Sequence, residues 1–240
     1  MGRPDRPSRR PERVVSGVGL DGPMTVHDVA AALPAPPDLL KLCRSIATAE
    51  AVLNPGDYRC YSFDAAWSST EEVFAMRNGS GDEFDIVFSP AGVYIRGFDH
   101  ESPMSPYAED TVWPGVLDDV PDVFRGCVDE PAFTDDDMPQ VTFCLWRETG
   151  DDRWHAGRID FPSGSSDPDG SGWMFDLPVD PSPEAFRSFA EDYYERPVDL
   201  DAVRHIYEQR PLTPDVVARL NPDASFEVVV KEAEAMGYPG

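Results

Sequence analysis

Asp99, His100 and Glu101 stand in a row, two carboxylates around an imidazole, directly after an alternating apolar run that ends at Phe98. Carboxylate and imidazole groups ligate divalent metals and exchange protons in acid–base catalysis, so this trio is the sharpest chemical cluster in the chain. Successive residues of an extended chain point to opposite sides, however, and the three cannot all face one ion unless the backbone turns sharply. A structural role competes with the chemical one: Asp99 caps a turn and Glu101 pairs with an arginine. His155, beside Trp154 and shortly before Asp160, lies in a second strand-like stretch. Were that stretch to neighbour the first, His100, His155 and a carboxylate would form a zinc-type donor set. The plainer reading of His155 is a strand histidine bonded to backbone or facing water. Tyr107 and Trp113 follow the trio past Pro103 and Pro106 and place aromatic surface near it. Asp99, His100, Glu101, Tyr107, Trp113 and His155 are therefore the candidate binding residues, and no spacing among them assigns a catalytic or metal-ligating role.

Other chemistry is mostly excluded. Asp167-Pro168-Asp169-Gly170-Ser171 starts like a calcium loop, yet Pro178 occupies the position of the bidentate glutamate, so the segment reads as a turn between strands. The chain lacks a nucleophile elbow G-x-S-x-G, a phosphate loop and a dinucleotide fingerprint, so no cofactor is expected. Cys43, Cys60, Cys127 and Cys144 are dispersed without the close pairs of a structural zinc site and read as isolated buried thiols of a reducing compartment.

Composition narrows the partners. Twenty basic residues oppose 45 acidic ones, for a formal net charge of -25. The first thirteen residues hold five arginines and two acids, which leaves 15 basic against 43 acidic residues in the rest. Such a body repels phosphate backbones and anionic lipid surfaces, so neither nucleic acid nor membrane is an expected partner. A basic protein is, unless the acidity merely reflects a GC-rich genome or adaptation to salt. Lys41 and Lys231 are the only lysines, as that compositional explanation would have it. No apolar run reaches the roughly 18 to 20 residues that span a bilayer, and no hydrophobic leader follows the N-terminal arginines, which places the chain in the cytoplasm.

The elements that must carry the candidate residues are legible from pattern. Residues 1–20, rich in proline and arginine, are expected to be a disordered basic tail, and residues 21–240 a single domain. Helices are expected at Val26 to Leu33, ended by Pro34, Pro36 and Pro37, and at Asp38 to Leu53, stopped at Asn54-Pro55-Gly56. A meander follows over residues 58–98: Tyr58 to Trp67, Glu72 to Arg77, Glu83 to Phe88 and Val93 to Phe98. Asn78-Gly79 and Pro90-Ala91-Gly92 mark its later turns. Further strands are expected near residues 141–147, 153–161 and 173–177, with one or two short helices around Pro114 to Phe124. Four helices should close the chain, the first at Ser182-Pro183 and the third at Thr213-Pro214. Strands followed by helices give an α+β fold, a largely antiparallel sheet covered by N-terminal and C-terminal helices.

Met76 to Asp82 (MRNGSGD), Phe88 to Gly92 (FSPAG), Gly97 to Ser102 (GFDHES), Glu130 to Phe133 (EPAF), Asp167 to Ser171 (DPDGS), Ala190 to Glu195 (AEDYYE) and the ending Gly237 to Pro239 resemble a family of soluble bacterial proteins. The resemblance covers most of the chain beyond the tail. It implies a bacterial cytosolic origin and a single domain, and it carries neither activity nor site residues.

Three functions remain open on the sequence. A cytosolic bacterial binding protein without catalysis, of the immunity or inhibitor type, would meet a basic protein with its acidic surface. A metal-dependent hydrolase would use Asp99, His100, Glu101 and His155. A polyanion mimic would compete with DNA for a DNA-binding protein. The missing catalytic motifs and the charge favour the first.

Overall fold

The structure, a computed structural model, describes residues 24–56 and 59–240. The tail expected over residues 1–20 and the Tyr58 end of the first expected strand lie outside the described residues.

Helix α1 (Val26–Ala32) starts where Asp28 folds its carboxylate back to the Thr25 amide at 2.9 Å and hydroxyl at 3.1 Å. Helix α2 (Pro36–Leu53) begins two residues earlier than the pattern predicts. Pro36 and Pro37 sit in its first turn, where a missing N–H costs nothing, so these prolines open the second helix rather than close the first. Ala47, Ala49 and Ala51 are all fully buried, and their small side chains let α2 cross the middle of the protein.

The meander forms as expected. Strands β1 (Tyr61–Asp64), β2 (Glu72–Arg77), β3 (Glu83–Ser89) and β4 (Gly92–Phe98) pair antiparallel in sequence order. A long excursion then carries α3 (Pro106–Glu109), α4 (Arg125–Val128) and a small ribbon of β5 (Thr134–Asp135) with β6 (Met138–Pro139). The chain returns as β7 (Phe143–Glu148), which pairs with β4 from Gly92↔Glu148 to Gly97↔Phe143 and completes the order β1-β2-β3-β4-β7.

Two expected strands are absent. Residues 153–161 run extended but share only one bridge with β7, Trp146↔His155. The segment is drawn away onto the excursion: a side chain at Gly157 would come within 1.8 Å of the Gly115 carbonyl oxygen. Trp113 Nε1 also donates to the Asp160 carbonyl at 3.1 Å, so beyond His155 this backbone serves the excursion rather than the sheet. Residues 173–177 are helical, in α5 (Ser171–Met174) and α6 (Asp176–Val179). Asp167 decides this by accepting the amides of Gly172 at 3.1 Å and Trp173 at 2.9 Å, an N-terminal cap that a five-residue apolar alternation cannot reveal.

The four closing helices are α7 (Pro183–Tyr194), α8 (Leu200–Tyr207), α9 (Pro214–Leu220) and α10 (Phe226–Ala235). Ser182, Asp199 and Thr213 cap the first three by accepting amides three residues ahead.

Alternation along the strands divides the core in two. Phe74, Phe84, Ile86, Ile95, Phe143 and Leu145 face the helical layer. Val73, Val87, Tyr94, Cys144 and Trp146 face the excursion, against Met104, Val116, Phe124 and Phe133. The fold is α+β, and its antiparallel sheet is covered on both faces. That double cover is why every residue of β4 is buried.

Candidate functional site

The β3–β4 register builds the polar cluster. Ser89 pairs with Gly92 and Glu83 with Phe98, so the residues that precede β3 and follow β4 leave the sheet side by side. Asp82, from the loop before β3, thereby joins Asp99 and His100, and one ligand atom from each lies within 4.8 Å of the others. His100 Nδ1 is 2.6 Å from Asp82 Oδ1, which also accepts the His100 amide at 3.1 Å.

Each carboxylate is held from behind. Asn78 Nδ2 donates to Asp82 Oδ2 at 2.6 Å. Trp173 Nε1 donates to Asp99 Oδ2 at 3.1 Å, and the Glu101 amide to Asp99 Oδ1 at 2.9 Å. The last bond is the turn-stabilising role expected of Asp99, and it swings the backbone so that Glu101 is exposed, away from the cluster. The loop expected to be a turn between strands, Asp167 to Ser171, instead closes the floor of this site. Ser102 Oγ donates to the Pro168 carbonyl at 2.7 Å and Thr142 Oγ1 to that of Asp169 at 2.7 Å. Gly170, at φ +78°, lies so close to Asp99 that an added Cβ would meet its Cβ at 2.4 Å.

Asp169 points away from the cluster. It accepts the Val26 amide at 2.8 Å and both the amide and hydroxyl of Ser171, at 2.9 and 2.6 Å. Burial raises its pKa to about 6 against these bonds, which act to lower it.

His155 does not join His100. It bridges Trp146, which itself pairs with Tyr94, so His155 lies two strand spacings from β4. Four residues further along β4 separate Tyr94 from Phe98, roughly 13 Å at the rise of a strand. His155 has its own carboxylate, Asp151, 3.3 Å from Nε2, and its ring stacks on Trp146. Tyr107 stands 59% exposed, its hydroxyl donating to Asp135 Oδ2 at 2.7 Å and its ring edge-on to Phe98. Trp113 is half-buried over the 153–161 segment.

The excursion forms a second feature. Between Met104 and Gln140 it carries ten acidic residues and one arginine, and of the nine acids whose side chains are described eight are exposed. The β5–β6 turn holds Asp136 and Asp137 at φ +46° and +65°, a left-handed conformation in which non-glycine residues are uncommon. Beside this layer is a cavity of about 250 Å³, walled by Phe63, Trp67, Val73 and Phe133, with Arg77 and Asp85 at its polar side. Trp67 is 39% exposed and stacks on Phe133 at 6.3 Å.

Beneath Phe133 lies a charge network. Arg96 is buried, its guanidinium 4.5 Å from the Phe133 ring centre, and it donates to Glu83 at 2.5 Å and to the Gln140 carbonyl at 2.8 Å. Asp85 Oδ2 lies 2.6 Å from Arg96 without a well-angled hydrogen bond, so that contact is chiefly electrostatic.

Asp82, Glu50, Arg96 and Asp169 were not among the sequence candidates. A signal for Asp82 existed: counting outward from the two-residue Pro90-Ala91 turn pairs it with Asp99. Glu50 had none, because its significance is its burial in α2. Glu50 Oε2 accepts the Cys60 and Tyr61 amides and the Tyr194 hydroxyl, while Oε1 is buried without a hydrogen-bond partner. Desolvation raises its pKa to about 7.

Among the described residues, no helix is long and apolar enough to cross a membrane. The chain matches no family model, no curated protein and no solved structure.

Proposed function

We propose that this chain is a cytosolic bacterial binding protein without catalysis, which meets a basic protein through its acidic excursion in the manner of an immunity or inhibitor protein. The observation that carries this reading is the excursion itself, ten acids against one arginine laid over one face of the sheet. Acidic residues concentrated on one face steer a cationic partner and set its orientation. Tyr107 and Trp67 supply exposed aromatic surface at that face, the residue type that dominates interface energetics. The Asp136-Asp137 turn supports the reading further, since a left-handed backbone at two aspartates is retained at a cost in local stability.

A metal-dependent hydrolase built on Asp99, His100, Glu101 and His155 is less well supported. Glu101 is turned outward and His155 is engaged elsewhere with Asp151.

The test is affinity capture from the source cells with two baits, the native chain and a variant carrying Asp135→Asn, Asp136→Asn and Asp137→Asn. The native bait should retain a stoichiometric basic protein at low salt, less of it at moderate salt, and the variant markedly less at both. Absence of a stoichiometric partner at either salt, or retention indifferent to the three substitutions, would overturn the reading. Recovery of a DNA-binding protein that DNA displaces would instead favour polyanion mimicry.

A further inference from the structure

We propose that Asp82, Asp99 and His100 form a binding site for one divalent transition-metal cation of the zinc or manganese class. The site is independent of the acidic excursion, being made at the open end of the β3–β4 hairpin.

Two carboxylates and an imidazole are a donor set that suits these ions: the oxygens neutralise the two positive charges, and the nitrogen favours a transition metal over magnesium or calcium. The three donor atoms already lie within 4.8 Å of one another. Ligands on an ion with bonds of about 2.1 Å are about 3 to 3.5 Å apart, so the cluster needs only a small adjustment. The Asp82–His100 contact of 2.6 Å must open by under about an ångström, the metal replacing the proton held between them. The His100 side chain, 36% exposed, is free to make that movement, whereas Asp82 and Asp99 are fixed.

The groups behind the carboxylates provide a second line of support. In metal centres the ligating carboxylates are themselves hydrogen-bonded by outer residues, which set their direction. Asn78 does this for Asp82, and the Trp173 indole for Asp99. Neither donor belongs to the cluster, and they come from two separate elements, the β2–β3 loop and α5. Gly81 and Gly170 complete the cradle: a Cβ added at Gly81 would stand 3.5 Å from the His100 ring, and one added at Gly170 would collide with Asp99. Exposure of His100 leaves room for solvent to fill the remaining coordination positions.

The experiment is metal titration of the full chain, purified without a histidine tag and stripped with chelator, using zinc and manganese chlorides with magnesium and calcium as comparisons. About one equivalent of zinc or manganese should bind, and the melting temperature should rise with free metal. Asp82→Asn and His100→Gln should each weaken binding about tenfold or more. Glu101→Gln and His155→Ala should leave it unchanged. Should either cluster variant fail to fold, manganese-induced broadening of amide resonances in the unaltered chain locates the ion: Asp82, His100 and Gly170 should broaden first. Failure to take up either ion, binding that survives both cluster substitutions, or broadening centred elsewhere would overturn the proposal.

Discussion

Arg96 and Asp85 face each other across β3 and β4, Nη2 2.6 Å from Oδ2, with both side chains 2% exposed. Arg77 and Glu83 extend the pair into a network on the face covered by Phe133. Removing one member of a buried pair strands the other charge in a low dielectric. Asp85→Ala should therefore destabilise the protein by about 3 kcal/mol in urea unfolding. Arg96→Met should cost a similar amount, since each survivor keeps one ionic contact, Asp85 with Arg77 at 2.7 Å and Arg96 with Glu83 at 2.5 Å.

Stability should decline as pH rises through neutrality. The pKa of Glu50 is raised from 4.5 to about 7, and that of Asp169 from 3.8 to about 6, chiefly by burial. A carboxyl whose folded pKa exceeds its unfolded value takes up a proton on folding. Its stabilisation is thus complete below the unfolded value and lost as pH climbs through the folded one. Glu50 alone accounts for about 3 kcal/mol across that window. Glu50→Gln should flatten the upper part of the profile, between about pH 5 and 8, measured as unfolding free energy against pH.

Gly170→Ala should destabilise by about 2 kcal/mol or more. Its φ of +78° disfavours a side chain, and the new Cβ would meet Asp99 at 2.4 Å. Thermal unfolding measures the loss. Gly79→Ala serves as the comparison, for it has a similar φ of +77° and open space around it, and should cost less.

The cysteines should resist thiol reagents in the folded state. Cys43, Cys60 and Cys144 are buried, and Cys127 is half-buried. Desolvation raises the pKa of Cys127 and of Cys144 to about 12, so little thiolate exists near neutrality. All four should react fully only after unfolding, as followed by colorimetric thiol titration.

What the sequence determined alone was local. Period-two alternation and turn residues placed β2, β3 and β4 within a residue of their observed ends, and proline with a capping side chain placed α7 and α9. These signals act over a few residues and need no partner. Tertiary structure decided the rest. Trp173 to Leu177 reads as a strand until the Asp167 carboxylate is seen on its first amides. His155 could be brought near His100 on paper, but the register of β4 with β7 sets them apart. Asp99, His100 and Glu101 were expected to diverge, and Glu101 does. The turn bonded through Asp99 leaves the other two converging on Asp82, which comes from seventeen residues upstream of Asp99 through the β3–β4 register. The Pro90-Ala91 turn carried a signal for that one pairing, but strand pairing beyond a hairpin, and burial, are settled by the whole packed sheet, so neighbours along the chain do not disclose where His155 and Glu50 come to lie.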